Sequence, residues 1–267
     1  TLGALAGRQL GSRYALTRRT PMYQQLEKHG AEFWDYGHWQ RPAAFPQTGE
    51  SLEQAMQREA KAVRTSVGLY DGSPLGKIEV SGPDAADFLN RFYINNVPSL
   101  KIGKARYGIM LNEKGIVIDD GIFCCLAENH YLVHTTSGNA DRIYAWMEEW
   151  QQCEWPDLDV VICNVTTQWA NATLQGPNAR KVLAKLNSSI DLDNDNFKHM
   201  SISEGVINGD IPLRIMRASF TGELGYEINI PANYGDALWQ NLLAAGEEFG
   251  ITPYGVESLM ILRSEKG

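Results

Sequence analysis

The chain has 267 residues, 43% hydrophobic and 21% charged, with a formal net charge of −8. That length is ample for a sizeable core, in one large domain or two smaller ones. The acidic balance argues against a broad nucleic-acid footprint or a polybasic membrane patch. No apolar run approaches the roughly 20 residues that span a bilayer, so a soluble, cytoplasmic protein is expected.

Residues 1–20 read as an irregular arm without the basic-then-apolar order of a secretory signal. Its cluster GALAGRQLG (3–11) follows no strand and lacks the dinucleotide-fingerprint spacing. In TPMYQQLEKHG (20–30), Thr20 is a candidate N-cap, Pro21 the first helical residue and Gly30 the stop. AEFWDYGHWQRPAAFP (31–46) suits a packed loop or edge strand. The segment 51–68 is a helix, with Leu52, Ala55, Met56, Ala60 and Val63 near 3.6-residue spacing. GKIEVSG (76–82) alternates as a strand. Further strands are expected at 106–111, 116–126 and 130–136, then a helix at 138–152 and a strand near 158–164. Two strands, 200–208 and 211–219, meet at Asn208-Gly209, a strong hairpin signal. A strand at 225–231 and a helix at 234–250 follow. ESLMILRSEKG ends in a helical pattern capped by Gly267, and with no initiator methionine the chain reads as a fragment of a longer polypeptide. Hairpins mixed with helices argue an α+β fold.

Two segments resemble each other. VSGPDAADFLNRF (80–92) and LQGPNARKVLAKL (174–186) each run from a strand through Gly-Pro into an apolar helix. Either the chain holds two related α/β halves, or it uses a common strand-to-helix junction twice.

Four cysteines, Cys124, Cys125, Cys153 and Cys163, form no C-x-x-C pair and read as small buried hydrophobes. The five histidines are scattered, and no cysteine–histidine cluster has zinc spacing. The stretch NEKGIVIDDGIF (112–123) sets Asp119 and Asp120 side by side in a strand, so they point to opposite faces. One reading leaves one of them exposed and the other bonded to a turn. The alternative is an inward carboxylate that accepts a ligand N–H or takes a proton. In SFTGELGYEI (219–228), Glu227 sits in an apolar strand and needs a partner, which an amino-substituted heterocycle would supply.

Taken in order, GLYDGSPLGKIEVSGPDAADFL, YGIMLNEKGIVIDDGIF, YLVHTTSGNADR, LQGPNARKVL, SFTGELGYEI and LRSEKG resemble the aminomethyltransferase family. That family comprises the glycine-cleavage T-protein and the folate-binding domains of sarcosine- and dimethylglycine-oxidising enzymes. The arm before residue 46, with VIDDG, TTSGNA and LRSEKG, leans toward the C-terminal portion of heterotetrameric sarcosine oxidase alpha subunits.

The resemblance implies a folate-binding aminomethyltransferase fold with two related α/β subdomains and a C-terminal β-barrel lacking or truncated. It divides the chain into an arm and linker (1–45) and a folate-binding domain (46–267). It places the catalytic carboxylate on Asp120 and tetrahydrofolate contacts on Leu75, Tyr107, Val133, Thr135, Phe220 and Glu227. Asp120 would face inward, leaving Asp119 outward or turn-bonded. Phe220 stands where the family often has Tyr; stacking survives that change, but a hydroxyl hydrogen bond does not. The arginine that pairs with the folate glutamate tail falls on Leu259, a departure that weakens or relocates tail binding. The implied activity is transfer of the one-carbon unit of an oxidised N-methyl amine to tetrahydrofolate. FAD, FMN and NAD are expected elsewhere in the complex, and other sarcosine oxidase subunits are the implied partners. A free-standing T-protein and a non-catalytic folate-binding scaffold are the alternatives.

Overall fold

The computed structural model describes residues 17–266. The glycine cluster 3–11, most of the expected N-terminal arm and the cap at Gly267 lie outside the described residues. A helix, α1 (Tyr23–Lys28), opens the described chain. It starts later than expected: Met22 is the cap residue, and Thr20 instead accepts the Tyr23 N–H through its carbonyl. The stretch read as a packed loop or edge strand is a two-stranded hairpin, β1 (Glu32–Tyr36) with β2 (Trp39–Ala44).

Helix α2 (Leu52–Thr65) begins at a capping box: the Ser51 side chain accepts from the Gln54 N–H, and the Gln54 side chain accepts from the Ser51 N–H. A short strand not expected from the sequence, β3 (Gly68–Asp71), precedes β4 (Gly76–Ser81) and α3 (Ala85–Asn90). Then come β5 (Lys104–Leu111), β6 (Val117–Ala127), β7 (His130–Thr135) and α4 (Ala140–Glu149). The helix expected over 138–152 thus ends early, in a π-helical turn at Trp150–Glu154. Strands β8 (Val161–Asn164) and β9 (Trp169–Gln175), helix α5 (Ala179–Ala184) and strands β10 (Ser201–Ile207), β11 (Ile211–Arg217) and β12 (Gly225–Pro231) follow. Helix α6 (Gly235–Gly246) gives way to a 3-10 turn, and β13 (Thr252–Pro253) and α7 (Val256–Lys266) complete the order. The hairpin forms where Asn208-Gly209 stands: Ile207 pairs with Ile211 across a three-residue loop in which Asn208 and Gly209 both take positive φ.

Eleven strands form one mixed sheet in the order β13-β3-β9-β12-β11-β10-β5-β6-β7-β4-β8. Among the described residues it ends in two edges, β13 and β8, and does not close into a barrel. The order contains a repeat. In β4-β7-β6-β5 the first strand of the unit returns to pair with the fourth, and β9-β12-β11-β10 does the same. Each unit also places its helix directly after its first strand, α3 after β4 and α5 after β9. The two Gly-Pro segments are therefore equivalent junctions of two related halves. Gly82 and Gly176 take φ of +128° and +129°, so the backbone match extends to a dihedral other residues avoid.

The halves join where β5 meets β10: the Ala105 N–H donates to Met200 O at 2.9 Å, and the Ile202 N–H to Gly103 O at 3.0 Å. Each half buries one sheet face under its own helices. In the first, Phe88, Leu89, Ile143 and Met147 from α3 and α4 cover Ile78, Met110, Phe123 and Val133. In the second, Val182, Leu183, Leu238 and Trp239 from α5 and α6 cover Leu174, Ile215, Tyr226 and Ile228, with the cap residue Met22 and Leu26 of α1 joining them. The opposite faces meet each other, with Ala105, Cys124 and Leu132 packed against Ile202, Met216 and Ala218. Glu79 and Arg214 tie the halves by an ion pair at 2.5 Å. Cys124 and Cys125 are buried as expected, whereas Cys153 and Cys163 are exposed because they fall on the open sides of the π turn and of edge strand β8. No helix among the described residues is long and apolar enough to cross a membrane.

Candidate functional site

Between the facing halves lies a cavity of about 490 Å³. Strand β6 contributes Asp120, Gly121 and Ile122, β5 contributes Tyr107, and β7 with its following turn supplies His134, Thr135 and Thr136. From the second half come Met216, Ala218, Ser219 and Phe220 around the end of β11, Glu227 on β12, and His199 with Met200 before β10. Leu75 and Arg263 complete the wall from the β3–β4 loop and from α7.

Strand alternation decides which aspartate serves the site. In the β5–β6 register Asp120 sits opposite Ile109 and Tyr107 opposite Ile122, so the Tyr107 side chain reaches Asp120 diagonally on the cavity face. The Tyr107 hydroxyl donates to Asp120 Oδ2 at 2.8 Å. That bond raises the Tyr107 pKa above its ordinary value and keeps the phenol protonated. Asp120 Oδ1 has no donor among the described residues and remains open to the cavity. Asp119 points to the helix-covered face. It is turn-bonded, accepting from the Thr136 N–H and from Asn139 Nδ2, both at 3.2 Å. It is also buried, at 5% exposure, and not outward.

Across the cavity, Glu227 is half-buried and accepts a long hydrogen bond, 3.4 Å, from Asn171 Nδ2. Burial pushes its carboxyl pKa above the ordinary value, and the Lys77 cation and the Asn171 hydrogen bond offset only part of that rise. The Phe220 ring is half exposed to the cavity, with the Arg263 guanidinium 5.5 Å from its centroid.

His134 was not anticipated. It is 6% exposed, and its Nδ1 lies 3.1 Å from Ile122 O. A carbonyl only accepts, so Nδ1 carries the proton. Burial, and then the Lys77 charge, lower its pKa to about 4. The ring is therefore neutral at physiological pH, and Nε2 is a buried acceptor without a partner among the described residues.

Of the predicted residues, Leu75, Tyr107, Asp120, Thr135, Phe220 and Glu227 come together around this one cavity. Val133 does not. It is fully buried in the apolar cluster beneath α3 and α4, because its neighbour His134 takes the cavity face and alternation sends Val133 the other way. Leu259 is also core, packed with Ala60, Val63 and Tyr254. One helical turn further along α7, Arg263 brings the cation to the cavity that position 259 lacks. The i to i+4 spacing in LMILR was the available signal for it.

The sequence matches the family described as GCVT N-terminal domain over residues 22–267. It is 49% identical to the sarcosine oxidase alpha subunit of Corynebacterium sp. (strain U-96) and 42% identical to that of Rhizobium meliloti (strain 1021), in both cases along the whole of this chain. The chain spans 28% and 27% of those two relatives. It is 35% identical to the aminomethyltransferase of Lysinibacillus sphaericus (strain C3-41), over 94% of this chain and 64% of that one. Aminomethyltransferase T of the glycine cleavage system from Bartonella henselae superposes with a TM-score of 0.79 at 29% identity, covering 93% of this chain and 62% of that one. A chain of heterotetrameric sarcosine oxidase from Corynebacterium sp. U-96 superposes with a TM-score of 0.51 at 15% identity, over 76% of this chain and 97% of that one, a likeness of fold alone. With a family match across nearly its full length, the chain belongs to the GCVT N-terminal domain family.

Proposed function

We propose that this chain is the tetrahydrofolate-binding part of a sarcosine oxidase alpha subunit, where the one-carbon unit of an oxidised N-methyl amine passes to tetrahydrofolate to give 5,10-methylenetetrahydrofolate. The observation that carries this reading is the Tyr107–Asp120 pair facing Phe220 and Glu227 across one cavity. The cavity volume is in the range that takes a small organic molecule. The residues suit a reduced pterin: an accessible ring for stacking, and a carboxylate with a spare acceptor for ring N–H groups. Arg263 at the rim provides the cation for a glutamate tail.

On this reading, Asp120 orients a folate amine through Oδ1 and takes its proton as that nitrogen adds to the imine carbon; the proton passes to the glycine nitrogen, whose bond to that carbon breaks, and the second folate nitrogen then adds to the carbon and loses its proton to close the 5,10-methylene ring. Tyr107 fixes the carboxylate through the other oxygen. Phe220 and Glu227 hold the ring so that nitrogen and electrophile stay together, which supplies the entropic part of the acceleration. The imine would come from flavin chemistry in the remainder of the complex, where FAD, FMN, NAD and the partner subunits belong.

The test is Asp120→Ala in the complete oxidase. Sarcosine consumption should continue while methylenetetrahydrofolate formation falls by roughly 100-fold or more, the usual weight of a positioned proton acceptor. Unchanged product formation would remove Asp120 from this role. The 35% identity to an aminomethyltransferase favours a second reading, in which the one-carbon donor is an aminomethyl group on a lipoyl carrier. Binding of lipoylated carrier protein separates the two.

A further inference from the structure

Lys77 lies beside this cavity and has no part in the chemistry above. It sits on β4 directly opposite His134 of β7 and is 1% exposed. Its Nζ donates to Leu75 O at 2.8 Å and to Ser73 O at 3.2 Å. No carboxylate among the described residues forms an ion pair with it. A buried ammonium held only by carbonyls is costly.

A continuous set of contacts leads from Lys77 to Glu227. Lys77 binds the Ser73 carbonyl, and Ser73 Oγ accepts from the Asn171 N–H at 3.0 Å. Asn171 Nδ2 donates to Glu227 Oε2 at 3.4 Å and to Asn229 Oδ1 at 2.9 Å. Thr173 Oγ1 donates to Asn171 Oδ1 at 2.9 Å, and because the Glu227 carboxylate only accepts, it is the Nδ2 side of the amide that faces it. The other carbonyl Lys77 holds belongs to Leu75, a wall of the cavity. The charged and titratable groups facing Lys77 are Glu227 from β12, Asp71 from β3, Arg41 from β2 and His134 from β7. Of these, Glu227 alone is an anion lining the cavity. Burial lowers the Lys77 pKa to about 8, so it is still charged at neutral pH.

We infer that Lys77 is a positioning residue for Glu227, keeping that carboxylate ionised and in place as the acceptor for the molecule bound in the cavity. The inference rests on the folate reading and names what makes its pterin-binding carboxylate work. With Lys77 uncharged, burial of Glu227 is opposed by no cation, its pKa rises, and the ionised fraction at a given pH falls.

The experiment is tetrahydrofolate binding by the complete oxidase as a function of pH, for the wild type, Lys77→Met and Lys77→Arg. The acidic limb of the Lys77→Met profile should move up by about one pH unit or more, while Lys77→Arg keeps the wild-type limb. In a Glu227→Gln background the Lys77→Met change should no longer move the limb. Should Lys77→Met not accumulate as folded protein, Lys77→Gln serves, because its amide still donates to a carbonyl but carries no charge. If the uncharged variant weakens binding equally at every pH, Lys77 is a packing residue and the inference is overturned. If the wild type binds no tetrahydrofolate at any pH, the folate reading itself fails and the inference falls with it.

Discussion

Asp119 and Asp120 are adjacent in the chain and opposite in consequence. Asp119 satisfies the Thr136 N–H and the Asn139 amide beneath the turn that ends β7, and Asp120 meets the cavity beside Tyr107. Replacing Asp119 with Ala strands a half-buried backbone N–H, so it should cost about 2 kcal/mol of stability. Urea unfolding should show that loss for Asp119→Ala and little change for Asp120→Asn; the reverse pattern would mean the two roles are exchanged. Parity made their divergence legible in the sequence, but not the direction. Both faces of β6 are covered, one by α3 and α4 and the other by the opposite half, so hydrophobic alternation carries little signal there. The same ambiguity explains Val133 and His134: in YLVHTT the aliphatic residue looked like the ligand contact, and the histidine holds the cavity position.

At the scale of elements, the strand–Gly-Pro–helix junction bears the most weight, because it turns the chain from a sheet into a covering helix twice. A Cβ at Gly82 would lie 2.2 Å from Asp159 O, and one at Gly176 would lie 2.4 Å from Ser66 O. Both positions also have a φ that disfavours side chains. Gly82→Ala and Gly176→Ala should therefore each cost about 2–4 kcal/mol, read as a lowered urea midpoint with unchanged slope. A neutral result at either site would show that the neighbouring carbonyl yields freely. Elements with strong periodicity or turn chemistry were readable: α2 from its apolar spacing, the Asn208-Gly209 hairpin, and β12. The four residues of β3 were not, being too short between a helix and a turn to show alternation. The β1–β2 hairpin was hidden by Pro42 and by aromatics that suit loops equally well. Pairing partners such as β5 with β10, nearly a hundred residues apart, leave no local trace.

Over the whole molecule, two related halves enclose the cavity, so whatever clamps them also sets its shape. The Arg214 guanidinium on β11 reaches Glu79 on β4 at 2.5 Å and Glu204 on β10 at 2.6 Å, and it lies 4.4 Å from the Trp169 ring centroid. Glu79 is also 3.3 Å from His130 Nε2. The hydrogen bond from His130 and the bonds and charge of Arg214 hold the Glu79 pKa down at about 2, against an ordinary value of 4.5. A depressed carboxylate pKa stabilises the fold at pH above the unfolded value, and the contribution disappears as pH falls through the folded one. The clasp should thus act in full above about pH 4.5 and fade between there and about pH 2. Glu79 keeps some contact with solvent, so screening limits the effect to about 2 kcal/mol at neutral pH. Urea unfolding of the wild type and Glu79→Gln, followed by tryptophan fluorescence, should show that gap at pH 7 and its narrowing at pH 3. A gap of the same size at both would assign the contact to packing. Because Glu79 shares β4 with Lys77, a loosened clasp should also weaken ligand binding at neutral pH, without moving the acidic limb that reports on Glu227.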